Sequence, residues 1–356
     1  MFVREVETRV GPQQARLGIQ QAFPFPTALT AGTDAASAEA RAAEARFRAV
    51  ARSVRRAVEA DYWRLWELRR ARQRLGEHAV VLESLAEAER GRMTVGQARL
   101  ADVQQVELAR ARLDDRLLGL DAAAEEVAAA LRSRLGLREA LWMPTPDAPP
   151  DPALPVEGRD ELVTLALEHP RLDSHEERAG AAEARARAAG AQRLPTLKVG
   201  ADWIVTGAAR APDVQDSGKD AVVVGLGLSL PLWQRAYGAE VASHTAQARA
   251  ERELARGEGD AAVAAVDARL ARVRETARRV QLREERLLPQ AEAAFASLLG
   301  AEATGGGVAQ VLMASRELLD LGLEADTARA EHARAWADLE ETCGAELARR
   351  PAGGTP

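Results

Sequence analysis

Two stretches of this chain repeat one design. Leu17-Gly18-Ile19-Gln20-Gln21-Ala22 closes on Phe23-Pro24-Phe25, and Val224-Gly225-Leu226-Gly227-Leu228-Ser229 closes on Leu230-Pro231-Leu232. In each copy a short alternating segment ends in an apolar-Pro-apolar triplet and runs into a very long stretch rich in Ala, Arg and Glu. A glycine break follows, at Gly91 to Gly96 and again at Gly305 to Gly307, and a second helical stretch closes the copy. A self-similar chain builds its fold from equivalent units. Here the unit is strand, long helix, turn, helix, which is too elongated to bury a compact core alone.

The length of 356 residues fits two ordinary domains, but 4% aromatic and 29% charged residues favour long helices or coiled coils. The net charge of −6 is mild, and the basic residues alternate with acids along helix faces, so no nucleic acid is expected. Cys343 is the sole cysteine and reads as an inert thiol near a helix end, with no intrachain disulfide possible. The histidines, at 78, 169, 175, 244 and 332, form no pair at metal-ligand spacing. No nucleophile-base or paired-carboxylate constellation stands out, so neither a cofactor nor an enzyme is expected. Gly225 and Gly227 lack a third glycine and lie inside a strand, which excludes a dinucleotide site. No stretch approaches the ~18 apolar residues of a transmembrane helix. MFVREVETRV has no apolar h-region, so no signal peptide is visible.

The spacing predicts helix over 27–89, with apolar positions at Phe47, Val50, Val54, Val58, Leu65, Leu68, Leu75, Leu82 and Leu85. Val103, Val106, Leu113, Leu117, Leu120, Ala124, Val127 and Leu131 form a heptad seam whose odd member is Arg110. The first structural repeat thus covers 1–143. A Pro-rich linker, 144–158, forbids helix and separates it from a second repeat over 159–348. In that repeat, helix over 159–192 is interrupted at Pro170, strands are expected at 195–207 and 220–233, and a helix of roughly 90 Å runs over 238–301 with a kink near Pro289. Val263, Val266, Leu270, Val273, Ala277, Val280 and Leu287 carry its seam, with Glu284 as the polar member. A last helix covers 308–347, and the tail 349–356 is expected to be disordered.

The hairpin has two unlike faces. Val222, Val224, Leu226, Leu228 and Leu230 point one way, and Leu197, Val199 and Trp203 share a face of the first strand. Such alternation fits a transmembrane β-strand with lipid on the apolar side and a lumen on the other; it also fits a half-buried strand of a soluble sheet. A soluble sheet needs a covering layer, and this chain offers only long helices with narrow seams. Its few strands cannot close a barrel of the minimum eight, so other copies must supply the rest. Trp203, Trp233, Phe23 and Phe25, at or near strand ends, fit aromatic girdles or core positions.

With these features the chain resembles the TolC family of outer-membrane efflux ducts over essentially its whole length. The resemblance rests on the repeated architecture and on HPRL from His169, RLPTLKVGADW from Arg193, VGLGLSLPLW from Val224 and RVGPQQARLGIQQAFPFP from Arg9. The last of these is similar to the branch that serves heavy-metal and cation efflux. The resemblance implies a mainly α fold with a small β part, in which a homotrimer pools its strands into a twelve-stranded barrel through the outer membrane. The helices would continue it as an α-barrel in the periplasm. It also implies passive conduction of drugs or heavy-metal cations, with outer-membrane lipid, a periplasmic adaptor and an inner-membrane pump as partners. The adaptor-docking tips would be Gly91, Arg92, Met93, Thr94, Val95 and Gly96, and Gly305, Gly306, Gly307 and Val308. Some members narrow the entrance with aspartates, where Gln310 and Met313 stand here; Asp102 or Asp320 could line it instead. Relative to the family the first copy lacks its leading helix and most of its first strand, which leaves three full strands per protomer and suggests a truncated start. The alternatives are a periplasmic adaptor, which carries one hairpin where this chain has two, and a soluble coiled-coil scaffold, which leaves the apolar hairpin unexplained.

Overall fold

The computed structural model describes residues 6–137, 147–302 and 308–352. In chain order the elements are β1 (Val6–Thr8), β2 (Gly11–Phe23), α1 (Pro26–Thr94), α2 (Leu100–Arg134), β3 (Ala153–Pro155), α3 (Arg159–Leu167), α4 (Pro170–Ala191), β4 (Thr196–Thr206), β5 (Ala221–Ser229), α5 (Gln234–Leu282), α6 (Leu288–Glu302), α7 (Val308–Cys343) and β6 (Arg349–Pro351). The fold is mainly helical with a small β part. The chain divides into two compact units, one drawn from residues up to Ala45 and from Asp173–Gly257, the other from Arg46–Leu172 and from Glu258 onward.

The first unit holds an antiparallel sheet of order β1-β2-β4-β5. β2 comes from the first repeat and pairs with β4 from the second, with Leu17 opposite Trp203 and Phe23 opposite Leu197. Val6–Thr8 supplies a fourth strand beside the three long ones. β5 stops at Ser229, short of the expected 233, because Pro231 has no N–H to give the ladder. The helices of this unit are joined by small residues. Ala31, Ala35, Ala38 and Ala42 of α1 are buried at steps of four and three, and Ala179, Ala182 and Ala189 of α4 and Ala248 of α5 are buried too. Alanine at seam positions lets helices approach closely without side-chain entropy loss. Further along α1, past the end of this unit at Ala45, the large apolar residues expected to carry the seam do not: Phe47 is 72% exposed, and Val50 and Val54 are exposed as well, since they lie on another face of the helix.

The second unit keeps the large seams. Leu75, Leu82 and Leu85 of α1, Val106 and Leu113 of α2, and Val311 and Leu319 of α7 form one core, against which Phe295 and Leu298 of α6 pack. Leu162 and Ala166 of α3, Val266, Leu270 and Val273 of α5, and Trp336 and Leu339 of α7 form another. Glu284, the polar member of the α5 seam, is used. It receives both arms of Arg329, one at 2.9 Å. Arg110 likewise pairs with Glu83 and with Glu107. The expected kink near Pro289 takes the form of a π-helical turn over Arg283–Leu287, in which Leu288 N–H bonds back to Arg283 C=O. Proline cannot donate, and its ring clashes with the carbonyl four residues earlier; a widened turn relieves that clash.

Two stretches read from the sequence as linker and disordered tail meet each other. Ala153–Pro155 and Arg349–Pro351 pair as β3 and β6. Arg349 lies 4.4 Å over the Trp336 ring, a cation–π contact that fixes the first residue of the expected tail.

Candidate functional site: a two-faced sheet and the helical turns

Opposite residues in a sheet share a face, so the register sorts every side chain. One row runs Leu17, Trp203, Val222; the next Ile19, Ala201, Val224; then Gln21, Val199, Leu226; then Phe23, Leu197, Leu228. The hairpin residues expected to face lipid therefore do share one face, and Leu230, just past β5, continues their exposed line. β2 adds Leu17, Ile19 and Phe23, which the reading of the hairpin alone did not include. Gln21 interrupts the β2 row with a polar group. Ile19 is 82% and Leu226 78% exposed. Among the described residues no layer covers this face, and a contiguous apolar area of this kind marks a membrane or partner surface.

The other face is mostly small and polar, with Ile204 and Val223 as its large apolar members. Gly18, Gly200, Gly225 and Gly227 alternate with Gln20, Lys198, Asp202 and Arg16. Arg16 forks onto Asp202 through Nε at 3.0 Å and Nη2 at 2.7 Å. Gly18 makes this possible: a Cβ there would lie 2.2 Å from Asp202 Oδ1. At the loop end of the sheet, Asp220 accepts from the Trp203 indole and from the Thr206 N–H, both at 2.9 Å. Trp203 thus stands at a strand end with its polar atom bonded, while Phe23, Phe25 and Trp233 are exposed at the end from which the helices leave. That arrangement is what aromatic residues adopt at membrane–water interfaces.

Gly91, Arg92, Met93 and Thr94 are the last turn of α1, so the expected turn begins later, at Val95. Gly96 takes φ +75°, its N–H bonds to Met93 C=O at 3.1 Å, and Gln97 N–H bonds to Arg92 C=O at 2.8 Å. This is a Schellman cap, and its αL residue favours glycine. Val95 is left 67% exposed and Leu100 exposed beyond it. Gly305, Gly306 and Gly307 lie outside the described residues. Val308 is buried in the core shared by α1, α2 and α7.

The candidate entrance residues separate. Asp102 caps α2: its carboxylate accepts from Arg99 N–H at 3.0 Å and from the Arg99 guanidinium. These bonds, the backbone one foremost, hold it below the usual carboxylate range. Gln310 and Met313 are exposed on the first turns of α7. Met313 borders a groove of about 370 Å³ between α1, α2 and α7, with His78, Arg112, Arg116 and Arg316 along it. Asp320 stands 3.6 Å from both Arg116 and Arg316. Burial pushes the His78 imidazole down against the opposing pull of Asp320.

Among the described residues there is no group of His, Cys, Asp and Glu that could hold a metal ion, and no helix is long and apolar enough to cross a membrane. Burial pushes the Cys343 thiol up to about 12, far from the thiolate state that reactivity needs.

No family model and no curated protein matches the sequence. Solved structures do match. The outer membrane protein VceC from Vibrio cholerae is 21% identical over 93% of this chain and 79% of its own, with a TM-score of 0.74. The CmeC outer membrane channel of Campylobacter jejuni is 13% identical over 93% and 71%, at 0.73. The MtrE outer membrane channel of Neisseria gonorrhoeae, in its open state, is 16% identical over 95% and 82%, at 0.71. The chain has the protomer fold of these outer-membrane channels.

Proposed function

We propose that this protein is the outer-membrane duct of a tripartite exporter. The observation that carries the reading is the uncovered sheet: an apolar face broken only by Gln21, backed by a mostly small and polar one, with no covering layer among the described residues. Lipid would take the apolar face, and three copies would join their sheets edge to edge around a water-filled lumen. Closure removes the bare outer edges of β1 and β5, which would otherwise template aggregation. The helices would form the periplasmic part of the duct, fed by an adaptor and an inner-membrane pump. Cargo passes without chemistry. The channels with which the chain shares its fold support this reading over a periplasmic adaptor, and the exposed apolar face speaks against a soluble scaffold.

The turn after α1, Gly91 to Gly96 with its exposed Val95 and continued to the exposed Leu100, is a docking site for the adaptor in this reading, and the segment Gly305 to Val308 is the other. Gln310 and Met313 are proposed to line the entrance, whereas Asp102 is committed to its cap. A photocrosslinker placed at Val95 of the assembled protein should capture a periplasmic adaptor, and one placed at the exposed Val80, on the same helix but away from the turn, should not. Equal capture at both positions would remove the docking role.

A further inference from the structure

The three long strands of the sheet carry only three charged residues, Arg16, Lys198 and Asp202, and the register puts all of them on the polar face. Arg16 and Asp202 neutralise each other through two hydrogen bonds. Lys198 lies four residues from Asp202 along β4, about 13 Å at 3.3 Å per residue. It has no acidic partner among the described residues. Its direct neighbours across the strands are Ala22 and Gly227, and Gly200 and Thr196 flank it on the same strand face. Lys198 is exposed, and the small residues around it leave its ammonium as the one uncompensated charge on an otherwise low wall. Its position two residues into β4 sets it at the end of the sheet where the helices depart.

We infer that Lys198 sets the charge preference of the duct, forming in the assembled trimer a ring of three ammonium groups that favours anionic over cationic cargo. The inference rests on the duct reading above, because the polar face must line the lumen. Rings of basic side chains select anions. Twelve strands about 4.8 Å apart and tilted by about 40° close a ring roughly 24 Å across. The screening length is about 30 Å at 0.01 M salt, about 10 Å at 0.1 M and about 3 Å at 1 M. The three Lys198 Cα atoms then stand roughly 12 Å from the axis with their side chains reaching inward, so the ammoniums act on the whole cross-section in dilute salt and on very little of it at 1 M. A bare metal cation is the cargo this ring disfavours, and a small organic or inorganic anion the one it admits.

The test is the zero-current potential of the purified trimer in planar bilayers under a tenfold KCl gradient, with the dilute side at about 10 mM. Wild type should give the sign of chloride preference, and the preference should fade when both sides are raised toward 1 M. Lys198→Arg should keep the sign, Lys198→Gln should bring the potential toward zero, and Lys198→Glu should reverse it. Position 198 is exposed, so each variant should still form the heat-modifiable trimer. A potassium-preferring wild type, or a potential that does not move in Lys198→Glu, would overturn the inference while leaving the duct intact. A trimer that inserts but passes no current would overturn the duct reading, and the inference with it.

Discussion

His332 shows how a single buried side chain ties distant parts of the second unit together. Its Nε2 accepts from Ala153 N–H at 3.1 Å, and its Nδ1 lies 3.1 Å from Thr276 Oγ1. The Thr276 hydroxyl donates to Arg272 C=O at 2.9 Å, so Nδ1 carries the proton and the ring is neutral. Burial, helped by Arg349, pushes the imidazole down to about 4. An unfolded chain would protonate this group near 6.5. The folded state binds fewer protons between those values, so its stability is complete above about pH 6.5 and falls as pH drops toward 4, by about 3 kcal/mol from this residue. Urea midpoints measured from pH 7.5 to 4.5 should show this decline, and His332→Asn should flatten it while lowering stability at neutral pH. An identical pH slope in the variant would assign the decline elsewhere. None of this was legible in the sequence, where His332 is one histidine on an amphipathic helix. Its partners come from residues 56 and 179 positions away. Gly322 is similar. A Cβ there would lie 2.8 Å from Arg74 Nη1, so the glycine leaves the space through which Arg74 reaches the buried Asp326. A glycine inside a helical pattern signals only that something comes close.

At the scale of elements, legibility followed side-chain size. The α2 and α5 seams were readable because Val and Leu stand out from a charged background, and the two polar intruders, Arg110 and Glu284, are ion-paired as a seam requires. The start of α1 was misread because its seam is alanine in an alanine-rich stretch, where buried and exposed positions share one residue type. The break near Pro289 was foreseeable from proline chemistry. Its π form was not, since that depends on how α6 must be phased to bring Phe295 and Leu298 to their core. The two-faced hairpin was legible because glycine alternates with large apolar residues from Val224 to Leu228 in β5. This supports a paired prediction. Leu226→Arg puts a cation on the apolar face, at a cost of ~2–4 kcal/mol near a bilayer midplane, and should abolish assembly in the outer membrane. Val223→Arg, three residues earlier in β5 on the face of Gly18 and Asp202, should leave it intact. Trimer yield from outer-membrane fractions reads both, and equal yields would remove the assignment of faces.

For the molecule as a whole, the repeat in the sequence is real in topology: β1-β2-α1-α2 is answered by β4-β5-α5-α6-α7. The repeats are nevertheless not the packing units. β2 pairs with β4, so the sheet draws strands from both copies, and each compact unit takes residues from both halves of the chain. Such non-local pairing leaves no local mark, which is also why β3 and β6 were not anticipated in a proline-rich segment and a tail. The sheet has an uncovered apolar face and two open edges, and in the proposed duct lipid covers the first and further copies of the chain close the second. The most direct test is the oligomeric state and heat-modifiability of the protein extracted by detergent after export to the periplasm of a Gram-negative host. The expected result is a trimer in the outer-membrane fraction that survives mild SDS and shifts to a monomer only on boiling. A soluble monomer or dimer in the periplasmic fraction would contradict it.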